Sequence, residues 1–341
     1  MKIELHGINN TYPLICERGI LSSCSSYFDK NKKVLIVTDE NIPSSYYQDI
    51  LNNIDQSYVY ILPPGEKSKS FDNYLKIQSR LVELSFTRND VIVSCGGGVV
   101  SDLTGFVAST YKRGIKWISI PTSALSMIDA SVGGKTAVDF DSIKNVIGTF
   151  YSPSLLLLDM DTLKSLPQRE LTNGLFEALK MGFIMDKSIL ELMEDPFNNL
   201  EEIIVKSIIA KDEVVAIDPK EENLRRILNF GHTIGHALES HFSLGETLKH
   251  GEAVGYGMRF VIDDSLKEAL KHYSSKLNLP QINISKNDIP SLMKYIKNDK
   301  KASNKGVSFV FVDSSYKTNI KSLNNEEIER LIAKEVESWH Q

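Results

Sequence analysis

At 341 residues, with 42% apolar and 24% charged side chains, the chain has the make-up of a soluble globular protein of about two domains. Its net charge of −5 argues against a nucleic-acid surface, so the cations that matter are expected to be few and set in a pocket. Cys16, Cys24 and Cys95 are an odd, sparse set that implies no disulfide framework; no apolar leader or membrane-length run stands out, and the expected address is cytoplasmic, away from membranes.

In chain order, "KVLIVTD" (33–39), "YVYIL" (58–62), "DVIVSCGGG" (90–98), "KWISIPTS" (116–123) and "SLLLLDM" (154–160) read as buried strands. Helical stretches such as "SFDNYLKIQSRLVELS" (70–85) lie between them. That alternation predicts a parallel sheet with helices on both faces. Past about residue 161 the texture turns helical, in "PQRELTNGLFEALKMGFIM", "NLEEIIVKSIIAKDEVVAID" and "SKNDIPSLMKYIKND". The final "NNEEIERLIAKEVES" is an amphipathic helix with Asn324 and Glu327 at capping-box spacing. The expected architecture is α/β. A Rossmann-like parallel-sheet domain spans 1–160, a mostly α-helical domain spans 161–341, and the active site is expected in the cleft between them.

"SCGGGVVSD" (94–102) follows a strand and opens a helix, the setting of a dinucleotide fingerprint. Its spacing is Gly96-x-Gly98-x-x-Ser101, without the third glycine, and positions 118 and 119 hold Ile and Ser rather than an acidic ribose ligand. A glycine turn at a sheet edge still brings N–H groups to a pyrophosphate; a plain strand-to-helix turn is the alternative. "SVGGKTAVD" (131–139) resembles the back half of a P-loop, but Asp129 stands where the first glycine belongs. A lysine beside two glycines nevertheless suits an anionic group.

Polar residues concentrate around "NFGHTIGHALE" (229–239). Arg225, Asn229, His232 and His236 are spaced 4, 3 and 4, which on a helix makes one polar stripe. The histidine pair suits a shared metal, one ligand with one acid/base group, or a polar seam. Gly231 and Gly235 would each cost roughly 1 kcal/mol relative to Ala in a helix interior. They imply close backbone approach, or a helix that begins only near Asn229. Glu177 and Lys180 share a helix face, and His250 and Glu252 open another glycine-punctuated helix. Spacing does not say which three of His232, His236, His250, Glu177, Glu239 and Glu252 would hold a metal.

Six segments, "GGGVVSDLTGFVASTYKRG", "PTSALSMIDASVGGKTAVD", "KNVIGTFYSP", "FEALKMG", "NFGHTIGHALE" and "HGEAVGYGM", together and in this order resemble the 3-dehydroquinate synthase family over nearly the whole chain. The resemblance implies conversion of 3-deoxy-D-arabino-heptulosonate 7-phosphate into 3-dehydroquinate and phosphate. The implied chemistry is transient oxidation by NAD, phosphate elimination, re-reduction, ring opening and an intramolecular aldol. It also implies a divalent metal, zinc in the first place with cobalt as an alternative, on Glu177, His232 and His250. His236 then faces the substrate; with Lys135, Lys180 and Asn145 it forms the implied catalytic set.

For NAD, the resemblance points to Asp39, Asn41, Glu66, Lys69, Gly97, Gly98, Val99, Val100, Ser101, Asp102, Thr122, Ser123, Asp129, Lys135, Lys144, Thr162, Leu163, Lys164 and Ser165. Ser101 stands where glycine is commoner, and Ser123 where threonine is frequent. For the sugar acid phosphate it points to Arg113, Lys135, Asn145, Lys180, Lys211, Arg225, Asn229, His236, His250 and one of Lys300 and Lys301. A substrate with a carboxylate and a phosphate requires such cations, and arginine's planar fork suits both groups. The arginine of "YKRG", Arg113, is implied to reach a neighbour's active site, and hence a homodimer. Sister sugar-phosphate cyclases lack the substrate carboxylate that would occupy Arg225. A polyol dehydrogenase of the same superfamily would release NADH, and a non-enzymatic relative should have lost a ligand or a lysine.

Overall fold

The computed structural model describes residues 1–341 apart from 9, 142, 243–246, 300–305 and 339–341. The chain divides into two units, Met1–Leu171 with Lys211–Lys220, and Thr172–Ala210 with Glu221–Gln341. The first unit thus runs past residue 160 and takes back a short segment of the second half. Side chains tie that segment down: Asp212 accepts the His6 N–H at 2.7 Å and pairs with His6 Nδ1 at 2.8 Å.

In the first unit, strands β1 (Lys2–His6), β2 (Thr11–Cys16), β3 (Val34–Asp39), β4 (Ser57–Leu62), β5 (Val91–Gly96), β6 (Lys116–Pro121) and β9 (Leu155–Leu158) form one sheet, in the order β1-β2-β9-β6-β5-β3-β4. All its pairings are parallel except β1–β2. The continuous apolar runs of the inner strands are what a sheet covered on both faces demands, whereas β4, expected to be buried, lies at the edge, half-buried and with Ile61 exposed. Val34 and Ile36 of β3 pack into a cluster with Ile20, Cys24 and Ile50, whereas Leu35 and Val37 pack on the other face with Ile77, Leu81 and Leu103. Helices α1 (Gln48–Asn53), α2 (Phe71–Glu83) and α3 (Gly98–Thr110) supply much of that cover. From β3 the chain passes to β4 on one side, then to β5 and β6 on the other. The switch point therefore lies between β3 and β5, where open α/β sheets bind ligands at the strands' carboxyl ends.

The hairpin of β7 (Lys135–Phe140) and β8 (Ile143–Phe150) stands apart as a two-stranded sheet. Its strands carry no clean apolar alternation that would announce them. The second unit is built mainly from α4 (Gln168–Ile184), α5 (Ser188–Leu192), α6 (Leu200–Ile217, whose last residues belong to the first unit), α7 (His232–His241), α8 (His250–Arg259), α9 (Lys267–Lys276), α10 (Ile289–Asp299) and α11 (Asn325–Ser338). It also contains an antiparallel pair, β10 (Val307–Val312) and β11 (Thr318–Leu323), absent from the helical expectation. The capping box of α11 forms as read: Glu327 accepts the Asn324 N–H at 2.7 Å, and Asn324 Oδ1 accepts the Glu327 N–H at 3.0 Å. Among the described residues, no helix is long and apolar enough to cross a membrane.

Asp90, buried at the start of β5, accepts the Thr87 N–H at 2.6 Å, the Thr87 hydroxyl at 2.8 Å and the Lys33 N–H at 3.0 Å. Burial pushes its carboxyl up, but these donors outweigh burial and hold it below the usual value. A depressed folded-state value stabilises above the unfolded value of about 3.9, and that contribution disappears as pH falls through the folded one. Asp90→Asn should therefore cost about 1–3 kcal/mol at pH 7, with the gap to wild type narrowing below about pH 4. Denaturant melts across pH check this, and a gap constant from pH 7 to 3 would contradict it.

Candidate active site

The glycine turn after β5 lies at the switch point, at the N-terminus of α3. A Cβ on Gly97 would come no nearer than 3.6 Å to its surroundings and one on Gly98 no nearer than 3.5 Å. Gly97 has φ −78, which any residue adopts. Neither packing nor backbone requires glycine here, so the space above the turn is the feature these residues preserve, as a dinucleotide cradle would. Ser101 does not intrude on it: it is 2% exposed and its hydroxyl donates to Gly98 O at 3.0 Å. Asp39 at the end of β3 accepts the Asn41 N–H at 2.9 Å, and burial pushes its carboxyl up.

Around this turn the structure pairs several of the expected residues. Lys69 Nζ meets Asp102 of α3 at 2.5 Å, and the Lys69 carbonyl accepts the Asp139 N–H at 2.8 Å. Asp139 Oδ1 in turn accepts the N–H of Asn145, which sits at φ +56. Lys211 donates to both the carbonyl and Oδ1 of Asp129, each at 2.6 Å. Tyr46 OH reaches Thr162 O at 3.2 Å and Ser165 Oγ at 2.7 Å, tying down the 162–165 turn. Arg113, Lys135, Lys144 and Asn145 are exposed, in contrast to the buried Lys69 and Lys211. Lys300 and Lys301 lie outside the described residues.

In the second unit the polar stripe is not one helix. Arg225 and Asn229 belong to a 3-10 turn, Leu224–Asn229, and α7 begins only at His232 after Gly231 at φ +79. Both explanations of the glycines hold. Gly231 makes the left-handed entry, and a Cβ on Gly235 would lie 3.0 Å from Ala253 O of α8. A Cβ on Gly257 of α8 would lie 1.9 Å from Gly231 O. The two helix backbones touch, which brings His250 of α8 beside His232 and His236 of α7, with ring centroids 5.4–5.6 Å apart.

Glu177 of α4 points at this cluster. Its Oε2 accepts from Lys180, while its buried Oε1 has no hydrogen-bond partner among the described residues. That oxygen stands 3.6 Å from both His232 Nε2 and His250 Nε2. Two donors about 2.1 Å from one ion, at a tetrahedral angle, stand roughly 3.4 Å apart, so the carboxylate oxygen is spaced from each imidazole nitrogen as two ligands of one zinc-like cation are. Their outer partners agree. His232 Nδ1 lies 3.1 Å from Phe230 O and His250 Nδ1 lies 3.2 Å from Glu239 Oε2, so each Nδ1 donates its proton and each Nε2 is turned toward Glu177, where a metal would take the place of the proton on His250. His236 is also in reach, since the ligand atoms of all three histidines lie within 4.8 Å of one another. Glu252 is occupied elsewhere, capping α8 by accepting the Lys249 N–H at 2.8 Å.

The charges at that point are of mixed sign. Burial and the nearby Lys180 hold the His232 imidazole well below its ordinary value, so it is neutral. Burial pushes Glu177 up, but Lys180 and the two imidazoles outweigh it and keep the carboxylate ionised. For His250, burial pulls down, yet Glu177 and Glu239 prevail and raise it to about 10. Glu177 is thus an ionised carboxylate between one neutral and one protonated imidazole. Lys180 and Arg225, each 2% exposed, are buried cations in this unit of an acidic chain.

The 3-dehydroquinate synthase N-terminal family model matches residues 59–173 and the corresponding C-terminal model matches 174–302. The chain belongs to the 3-dehydroquinate synthase family. It is 36% identical to the 3-dehydroquinate synthase of Clostridium botulinum, over 93% of this chain and 96% of that one. With that of Thermodesulfovibrio yellowstonii it is 36% identical over 97% and 99%. Among solved structures, 2-deoxy-scyllo-inosose synthase, in complex with carbaglucose-6-phosphate, NAD+ and Co2+, shares the fold at TM-score 0.87 and 24% identity, covering 98% of this chain and all of that one. 2-epi-5-epi-valiolone synthase from Streptomyces hygroscopicus, with NAD+ and Zn2+ bound, does so at 0.81 and 23%, covering 96% and 97%.

Asn173, Glu239, Glu221 and Asp139 are the contributors that spacing missed or left unassigned. Asn173 Oδ1 accepts the Gly251 N–H at 2.7 Å and anchors the first turn of α8 beside His250. Nothing local in the sequence marks a contact across 78 positions. Glu221 Oε1 accepts from Asn229 Nδ2 at 2.5 Å. Glu239 was legible only as one of six candidate ligands. In this member of the 3-dehydroquinate synthase family the α7–α8 contact makes a direct prediction. Gly257→Ala should lower stability by about 1–3 kcal/mol, the usual cost of overpacking, or more because the clash is with backbone. Urea denaturation measures it, and a neutral result would mean that the helices part freely.

Proposed function

We propose that the chain is a carbon–oxygen lyase that converts 3-deoxy-D-arabino-heptulosonate 7-phosphate into 3-dehydroquinate and phosphate, with NAD and a divalent metal, zinc or cobalt. The observation that carries the reading is the buried Glu177 oxygen, without a hydrogen-bond partner among the described residues and faced by Nε2 of two histidines whose Nδ1 atoms are engaged, in a chain of this family. NAD+ with Co2+ or Zn2+ in the two cyclase structures supports the cofactors. Sequence identity of 34–40% to relatives named 3-dehydroquinate synthase, against 23–24% to the two cyclases, favours this substrate over theirs.

On this reading Glu177, His232 and His250 hold the metal. Gly97, Gly98 and the start of α3 receive the NAD pyrophosphate, and Asp39, Asn41, Glu66, Lys69, Asp102, Thr122, Ser123, Asp129, Lys144 and the 162–165 turn complete its site. When bound, NAD would supply a reversible hydride acceptor and the metal a Lewis acid. The chain's own work is positioning and proton traffic. Lys135, Lys180, Lys211 and Arg225 neutralise the substrate's carboxylate and phosphate, Asn145 and Asn229 orient its hydroxyls, and His236 holds or moves a proton at a substrate oxygen. Lys180 keeps Glu177 ionised. Arg113, exposed on a left-handed turn at φ +66, serves the neighbouring subunit of a homodimer.

The purified protein should release phosphate from the heptulosonate phosphate without net NADH, lose that activity to a chelator and regain it with zinc or cobalt. Accumulating NADH would mark a dehydrogenase instead. Glu177→Ala, His232→Ala and His250→Ala should each lose stoichiometric metal, whereas His236→Ala keeps the metal and loses turnover. A metal-free His236→Ala protein would overturn the division of roles.

Arg113→Ala and His236→Ala should each be inactive yet dimeric, and mixing them should restore activity. With random subunit exchange about half the dimers are mixed, each with one complete site, so about a quarter of all sites recover. No recovery, with heterodimers confirmed by mass spectrometry, would place Arg113 in its own chain's site or couple the two sites.

A further inference from the structure

The chain leaves β6 through Thr122 and Ser123 and turns at once into a π-helical segment, Ser126–Ala130. The Thr122 N–H donates to Gly96 O at 3.0 Å, and the Ser123 hydroxyl lies 3.6 Å from where a Cβ on Gly97 would stand. That hydroxyl therefore borders the space above the glycine turn. Its partner is Ser126, which is fully buried. Ser126 Oγ lies 3.1 Å from Ser123 N, 2.8 Å from Ser123 O and 2.9 Å from Ser123 Oγ. An N–H can only donate and a carbonyl can only accept, so Ser126 Oγ accepts from the first and gives its single proton to the second. The proton between the two hydroxyls then has to come from Ser123. Ser123 Oγ also accepts the Ser126 N–H at 3.3 Å, the reciprocal pattern of a capping box, and keeps one lone pair. With its proton turned inward, it has only an acceptor left to offer.

We propose that Ser126 is a positioning residue that fixes the polarity of the Ser123 hydroxyl, so that this edge of the cofactor site takes an O–H or N–H of the dinucleotide and not a pyrophosphate oxygen. This rests on the reading of Ser123 as an NAD contact. A phosphate oxygen only accepts, and two acceptors repel. The ribose hydroxyls, the adenine amine and the carboxamide each bring a proton.

Calorimetry of NAD+ binding to the purified enzyme tests it. Because calorimetry counts sites, a poorly folded fraction lowers the stoichiometry and leaves the affinity readable. Ser123→Ala and Ser126→Ala should each weaken NAD+ binding about fivefold, the scale of one hydrogen bond. In the Ser123→Ala background, Ser126→Ala should cost less than about 1.5-fold more, because the hydroxyl it acts through is gone. The Ser126 contacts to the Ser123 backbone survive in that background. A residue that only builds the turn would therefore weaken NAD+ as much there as in wild type. Dinucleotide analogues identify the donor: hypoxanthine in place of adenine, acetylpyridine in place of nicotinamide, or a ribose lacking one hydroxyl. One of these should bind wild type and Ser126→Ala alike. Additive losses in the double variant, an unchanged NAD+ affinity in Ser126→Ala, or a full Ser126→Ala loss with every analogue overturns the proposal. An unchanged affinity in Ser123→Ala would instead take Ser123 out of the cofactor site, which withdraws the premise along with the proposal.

Discussion

The second unit depends on one steric condition, that the backbones of α7 and α8 touch. Helix axes ordinarily pack 8–10 Å apart, kept there by side chains. Here Gly231, Gly235 and Gly257 remove those side chains at the crossing, and a single Cβ on Gly257 would sit 1.9 Å from a carbonyl oxygen. Glycine weakens a helix, and the fold tolerates that weakness because the contact brings imidazoles from two separate helices within 4.8 Å of one another. The same economy of space recurs at Gly251, where a Cβ would meet Asn173 O at 1.9 Å. There the first turn of α8, and with it His250, is pinned to α4.

That closeness would be electrostatically costly if the cluster were only histidines. Buried imidazoles repel further positive charge, and Lys180 adds to the repulsion felt at His232. Glu177 and Glu239 answer it from opposite sides of His250. The result is a buried group of mixed sign in which a carboxylate oxygen has no hydrogen-bond partner among the described residues, a polarity suited to a cation. Removing one member leaves the others uncompensated, so the group is expected to behave as a unit under mutation.

In the first unit the organising feature is the reversal of strand order between β3 and β5. The first turn of the helix that follows β5 leaves its N–H groups without partners inside the helix. The glycine turn therefore needs no complete dinucleotide fingerprint to receive a phosphate. Ser101, the departure in that fingerprint, spends its hydroxyl on Gly98 O within its own helix.

Much of this was legible in the linear sequence, because local periodicity carries it. Buried strands of the sheet, the helix over 70–85 and the cap of α11 follow from alternation, burial runs and a capping pair, all set within a few residues. The family resemblance added the identities of the expected site residues. The hairpins β7–β8 and β10–β11 escaped notice because their signal lies in cross-strand pairing. Spacing alone could not tell His232 from His236, since both sit on the same face of one helix. The packed structure gives His232 Nδ1 a carbonyl partner and points its Nε2 at Glu177, from a helix more than 50 positions earlier in the sequence. Residue types and local elements were thus written into the sequence. Which nitrogen faces the carboxylate, which amide atom faces Glu221, and which unit claims Lys211 were decided only by contacts between distant segments.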